Sequence, residues 1–208
     1  MEFTKDTRIK DILDLPCFRQ MNGQFIASSA GDWFCGKGEL SLDELQRQNP
    51  TWYWEDVAYG LRRLQEIALG GEQYVYPVRE GVCLIHLPAE NRKYQEYAIL
   101  NAGGAYGAVC TMVESLPVAA KLNELGMDCF CLNYRTATKD SFARGLMPKP
   151  LEDLAMAWKT IKSKEMLFDL NAERYFVGGF SAGGHLAAMW GTENHGARHF
   201  DIPNPEAL

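Results

Sequence analysis

Gly179-Phe180-Ser181-Ala182-Gly183 fits the pattern G-x-S-x-G, and its setting gives the pattern mechanical meaning. The apolar run Tyr175-Phe176-Val177-Gly178 reads as a strand just before it, and Gly183 to about Trp190 reads as a helix just after. A chain reversing between strand and helix holds Ser181 on a strained turn, and small residues at 179 and 183 let the two elements approach. The helix N-terminus favours developing negative charge beside the hydroxyl. This is the chemistry of a serine nucleophile; the competing reading is a chance Gly/Ser turn. About eighty residues earlier, Asn101-Ala102-Gly103-Gly104-Ala105-Tyr106 also follows an apolar run. A glycine-rich loop can turn backbone amides toward one point, as an oxyanion hole requires. A phosphate-binding loop is the other use, but no Gly-Lys-Ser/Thr ending or GxGxxG accompanies it.

The elements that must position these residues change character near residue 72. Before it the sequence predicts short helices: Ile9, Ile12 and Leu13 at helical spacing up to Pro16, then Ser41-Leu42-Asp43-Glu44 in the form of a capping box. A longer helix from about Thr51 carries Val57, Leu61, Leu64 and Ala68 on one stripe, with Gly70-Gly71 past its end. From residue 73 the period becomes that of strands. Tyr74 to Val78 and Val82 to Leu87 flank Arg79-Glu80-Gly81 as a hairpin, and Tyr97 to Leu100 runs into Gly103-Gly104. A helix from about Met112 to Leu125 ends at Gly126, strand Cys129–Tyr134 follows, and a helix from about Pro150 aligns Leu151, Leu154, Ala155, Trp158 and Ile161. Strands alternating with helices predict an α/β fold with a mostly parallel sheet and flanking helices.

Composition sets bounds. The 208 residues carry 21 Lys+Arg against 27 Asp+Glu, a net charge of −6, with 47% hydrophobic residues. Acidity excludes a general nucleic-acid binder, since no broad face would neutralise phosphates. No run of 18 apolar residues predicts a membrane span, and Met1 to Asp6 has mixed charge with no apolar signal region. The expectation is a soluble cytoplasmic protein. Six cysteines at 17, 35, 83, 110, 129 and 131 form no CxxC pair or zinc-like grouping, so they read as reduced, mostly buried thiols, with no metal or cofactor. Lys159, Lys162 and Lys164 read as a solvated helix face. Trp52-Tyr53-Trp54 and Trp33-Phe34 either form a sugar-stacking platform or pack the N-terminal helices onto the sheet.

Ala102-Gly103-Gly104-Ala105-Tyr106, Pro117-Val118-Ala119 with Leu122-Asn123, and Leu132-Asn133-Tyr134-Arg135 together resemble the α/β-hydrolase superfamily, in its acetyl-esterase/lipase branch that includes carbohydrate esterases. Asp153-Leu154-Ala155 with Trp158, and Gly179 through Ala187, continue the likeness in the same order. It covers roughly residues 73–208. The resemblance implies that 73–208 form the N-terminal part of an α/β-hydrolase domain, with 1–72 a helical extension or cap. It implies a serine-dependent hydrolase of small carboxylic esters, acetylated carbohydrates among them. Ser181 would be the nucleophile, and the amides of Gly104, Ala105 and Ala182 the oxyanion hole. Ala105 departs from the family, which usually has a third glycine there.

A serine also needs a base and an orienting acid, in this fold in the order Ser, Asp or Glu, His. His185 comes too early and resembles the family's structural histidine. Glu193 with His195 or His199 reads as a solvated helix terminus, and Asp201 has no histidine after it. The family's later strands, which bear acid and histidine, are not found. The chain is then a fragment, or is completed by a second polypeptide, or carries a vestigial site. The alternative function is a catalytically incomplete interaction or ligand-binding module; a peptidase of the same fold has no supporting propeller domain. In each case the strand at 175–178 would be an open sheet edge, inviting self-association or a completing chain.

Overall fold

The computed structural model describes residues 1–19, 21, 25–26, 37–137, 146–192 and 196–206. Cys35, Trp33-Phe34, Glu193 and His195 lie outside the described residues, as does most of the Thr/Lys-rich loop after residue 137.

Four helices come first: α1 (Ile9–Leu13), α2 (Pro16–Arg19), α3 (Leu42–Gln48) and α4 (Trp54–Leu69). The capping box opens α3: Glu44 N donates to Ser41 Oγ (3.2 Å) and Ser41 N donates to Glu44 Oε2 (2.8 Å), satisfying two amides that the helix cannot. The α4 stripe buries Val57, Leu61 and Leu64. Next come β1 (Val75–Arg79), β2 (Val82–Leu87), β3 (Tyr97–Asn101), α5 (Ser115–Leu125), β4 (Asp128–Asn133), α6 (Lys149–Ser163), α7 (Glu165–Phe168), β5 (Tyr175–Gly179) and α8 (Ala182–Trp190), then a short 3₁₀ turn, Ala197–Phe200. Helix α5 starts three residues later than its apolar pattern predicts, because Glu114 leaves helical geometry at φ −123°, ψ −75°.

The sheet order is β1-β2-β4-β3-β5. Strand β2 opposes both β1 and β4, while β3 runs parallel to β4 and β5. The α/β class and the hydrolase-type sheet with flanking helices are as expected, and the sheet is mixed: four strands point one way and β2 the other. A tight hairpin can only join antiparallel strands, which is why β2 is reversed. Strand β4 is buried along its length and feeds two cores. Cys129 and Cys131 face Ala98, Leu100, Leu61, Leu64 and Leu116 on the side of α4 and α5. Phe130 and Leu132 face Ile99, Leu154, Trp158 and Leu186 on the side of α6 and α8. The first core also takes in Phe3, Ile9, Ile12 and Phe18, so apolar packing is continuous across residue 72.

At the start of β4 the buried Asp128 anchors a polar cluster. Its carboxylate accepts from Arg92 Nε (3.0 Å), Arg92 Nη2 (2.8 Å) and Ala89 N (3.0 Å), and lies 3.0 Å from His86 Nε2. The His86 ring stacks on Phe130, centroids 4.4 Å apart. Burial pushes the Asp128 carboxyl upward, but the bonds from His86, Arg92 and Ala89 outweigh it and hold the group below its ordinary range.

The far side of β5 carries no strand among the described residues; Glu206 N donates to Tyr175 O there (2.7 Å). Lys159 is exposed, and Lys162 pairs with Glu165 and Glu173 on the surface of α6. The described cysteines are free thiols, Cys17 half-buried and Cys83, Cys110, Cys129 and Cys131 buried. Burial pushes Cys83 to about 11 and Cys110 and Cys131 to about 12. Among the described residues no helix is long and apolar enough to cross a membrane.

Candidate active site

Ser181 sits at the junction of β5 and α8 with φ 48°, ψ −117°, left-handed backbone that a side-chain-bearing residue rarely adopts. The turn is held on three sides: Phe180 N donates to Asn101 O (3.0 Å), Gly183 N to Phe180 O (2.7 Å) and His185 N to Ser181 O (2.9 Å). The glycine in the last position of the motif is required by contact. A methyl group on Gly183 would lie 2.0 Å from Asn101 O, so the first turn of α8 rests directly on the end of β3. The Ser181 residue is exposed and faces solvent at the C-terminal ends of the parallel strands.

The glycine-rich loop lies against this elbow. A methyl on Gly103 would come within 2.8 Å of Ser181 Cβ and 2.7 Å of Phe180 O. Beyond it Gly104, Ala105 and Tyr106 have φ of 130°, 50° and 60°. Ala105 therefore occupies a conformation that glycine would enter freely and that costs an L-residue about 1–2 kcal/mol. Several bonds hold the loop in this shape. Gly107 N and Ala108 N donate to Gly104 O (2.8 and 3.0 Å), Cys110 N to Gly103 O (2.9 Å) and Ala137 N to Tyr106 O (2.7 Å). The Tyr134 hydroxyl donates to Ala102 O (2.6 Å). Among the described residues no acceptor takes the amides of Gly104, Ala105 or Ala182. The structure thus brings Ser181 and the glycine loop of the sequence analysis to one place.

His185 is exposed on α8, with Nδ1 2.8 Å from the Tyr106 hydroxyl. It ties the elbow helix to the glycine loop. Burial pushes the Tyr106 hydroxyl up to about 12, so it stays protonated at neutral pH. His199 stands on the 3₁₀ turn beside Phe200, lining a groove with Met147, Pro148 and Met189.

One residue escaped the sequence reading. Glu114, between the glycine loop and α5, places Oε2 2.5 Å from Gly103 N and accepts a hydrogen bond from it. Burial raises its carboxyl above the ordinary range, while the Gly103 amide and the Trp52 indole pull it back. The available signal was a lone carboxylate within the apolar stretch Val109–Ala120. Glu114 and Phe180 also line a cavity of about 260 Å³ with Trp52, Tyr53, Asp56 and Val118. Trp52 and Tyr53 of the aromatic triplet reach this cavity, and both Trp52 and Trp54 also pack on the first core.

Comparison with known proteins gives a consistent assignment. The BD-FAE family model matches residues 84–204. Endo-1,4-beta-xylanase B of Butyrivibrio fibrisolvens is 25% identical over 174 residues, covering 79% of this chain and 26% of that protein. A hyperthermophilic esterase from Pyrobaculum calidifontis superposes with a TM-score of 0.51 at 19% identity, over 72% of this chain and 47% of its own. MGS-M1, an alpha/beta hydrolase enzyme from a Medee basin deep-sea metagenome library, gives 0.50 at 24% identity, over 64% and 57%. At these identities the structures show the shared α/β-hydrolase fold. The chain spans about a quarter of the xylanase's length and about half of each structure's.

Proposed function

The chain belongs to the BD-FAE family, and from that premise we propose that it is a serine-dependent carboxylic ester hydrolase. Its substrates are small esters, acetylated carbohydrates among them, and its place is the cytoplasm. The observation that carries this reading is Ser181 at φ 48° with Gly103 against its Cβ, a nucleophile elbow beside a loop with open amides. Ser181 Oγ attacks the acyl carbon, and the amides of Gly104, Ala105 and Ala182 take the charge that develops on the carbonyl oxygen. Collapse of the tetrahedral intermediate expels the alcohol and leaves an acyl-serine, which water hydrolyses. The base that removes the Ser181 proton is supplied, in this reading, by a segment outside the described residues or by a chain that pairs with the open side of β5. Residues 1–72 serve as a helical extension, and Trp52 and Tyr53 wall a cavity shared with Glu114 and Phe180. The xylanase name of the sequence relative refers to a polysaccharide, and supports the carbohydrate part of this reading alone.

A second reading, a binding module that keeps the elbow without turnover, is favoured by one observation: among the described residues Ser181 has no histidine partner. Intact-mass spectrometry with a fluorophosphonate separates the two. Stoichiometric labelling that disappears in Ser181→Ala supports the hydrolase, and a well-folded chain that stays unlabelled even with the base-supplying segment or partner present supports the module. Light scattering on the same sample tests the β5 edge: a dimer or larger species is expected, and a strict monomer at micromolar concentration argues against pairing there.

A further inference from the structure

We propose that Glu114 is a positioning residue for the oxyanion hole, its carboxylate fixing the peptide from which the amides of Gly104 and Ala105 are aimed. The proposal rests on the serine-hydrolase reading above. The geometry is specific. Gly103 is buried, and a methyl on it would meet Phe180 O, Ser181 Cβ and Glu114 Oε2, so its backbone is packed closely between the elbow and Glu114. Glu114 Oε2 meets that amide at 2.5 Å. Without it a buried N–H would have no acceptor among the described residues, and buried amides are almost always paired.

Glu114 is itself held where this contact needs it. Its amide donates to Cys110 O (3.2 Å), and the Cys110 amide donates to Gly103 O (2.9 Å), so loop and carboxylate are braced against each other through one residue. Glu114 is also the residue that caps the N-terminus of α5, yet its side chain makes no bond to that helix. The side-chain oxygen goes to the glycine loop, and the first turn of α5 takes no cap from it. The next three residues, Gly104 to Tyr106, are all left-handed, a conformation that persists only where surrounding bonds over-determine it. Freeing Gly103 removes one bond from that set.

The test uses the whole chain and three variants, Glu114→Ala, Glu114→Asp and Glu114→Gln. Alanine removes the acceptor, aspartate keeps the charge but falls a methylene short, and glutamine keeps a carbonyl oxygen at the same reach. Fluorophosphonate labelling is followed at several probe concentrations, separating probe binding from bond formation at Ser181. Bond formation is expected to slow about 100-fold in the alanine and aspartate variants, as when an oxyanion donor is lost. In glutamine it should slow by no more than about tenfold, the difference between a charged and a neutral acceptor. Probe binding should be unchanged in all three. A purely structural role would instead change binding or folding and leave the bond-forming constant alone, and that result overturns the proposal. Should alanine fail to fold, the aspartate and glutamine variants decide. Amide hydrogen exchange at Gly103 to Ala105 provides a readout that needs no labelling. It should quicken at least about tenfold in aspartate and not in glutamine. If the wild-type chain is never labelled, the hydrolase reading fails on its own; equal exchange in wild type and aspartate overturns the positioning role.

Discussion

Replacing Gly183 by alanine is expected to lower the unfolding free energy by about 3 kcal/mol or more, the upper range for overpacking. The added methyl would sit 2.0 Å from Asn101 O, 2.5 Å from Asn101 C and 2.6 Å from Ala102 O. All three are backbone atoms, and Asn101 cannot retreat. It pairs with Leu132 on one side and Gly179 on the other, and its carbonyl accepts from Phe180 N. Relief would require α8 to lift away from the sheet, carrying Ser181 with it. The neighbouring Gly184 is the control. Its methyl would approach Gly179 O only to 3.2 Å, and Gly184→Ala should cost less than about 1 kcal/mol. Urea denaturation of both variants checks this, and equal midpoints would mean that the elbow does not rest on β3 as described.

The second large effect lies at the other end of the sheet. Asp128→Ala is expected to destabilise the protein by about 3–5 kcal/mol, the range for removing one partner of a buried ionic cluster. Arg92 would lose both guanidinium contacts to β4, and the amide of Ala89 would lose its acceptor. The same cluster sets a pH dependence. The Asp128 carboxyl is held below its ordinary value of 3.8 in the folded state. Its contribution is therefore complete above that value and is lost as pH falls through the lower, folded value. Acid denaturation profiles of wild type and Asp128→Ala should converge at the acid end. Profiles that stay parallel through that range would show that Asp128 is not the titrating group.

How far the molecule was legible from sequence depended on how local each signal is. The α3 capping box and the elbow at 179–183 are written in five residues or fewer, and both hold in three dimensions. The hairpin was legible for the same reason. The place of β2 between β1 and β4 was not, because it depends on pairing Cys83 with Asn133 and Leu87 with Cys129, some forty or more residues away. Periodicity carries no record of such a register. The glycine-rich loop was legible as a loop, but its left-handed run through Ala105 and Tyr106 was not, since neither residue type favours that conformation. Glu114 illustrates the limit best. Alone in the sequence it is one carboxylate in an apolar stretch, and it gains meaning only when α5 is laid beside the loop. The elbow histidine is a similar case: Gly-Gly-His was recognisable, whereas the Tyr106 hydroxyl that meets His185 becomes its neighbour only across 79 residues.

The thiols give the fold a built-in set of reporters. Modification of a cysteine requires thiolate and access, and in Cys83, Cys110, Cys129 and Cys131 both are withheld while the structure is closed. Each can then react only at the rate at which its own neighbourhood opens. The half-buried Cys17 reports on the N-terminal helices, Cys110 on the glycine loop, and the other three on β2 and β4 at the centre of the sheet. An alkylating reagent applied to the native chain therefore reads a stability map, from periphery through glycine loop to core, with no residue changed.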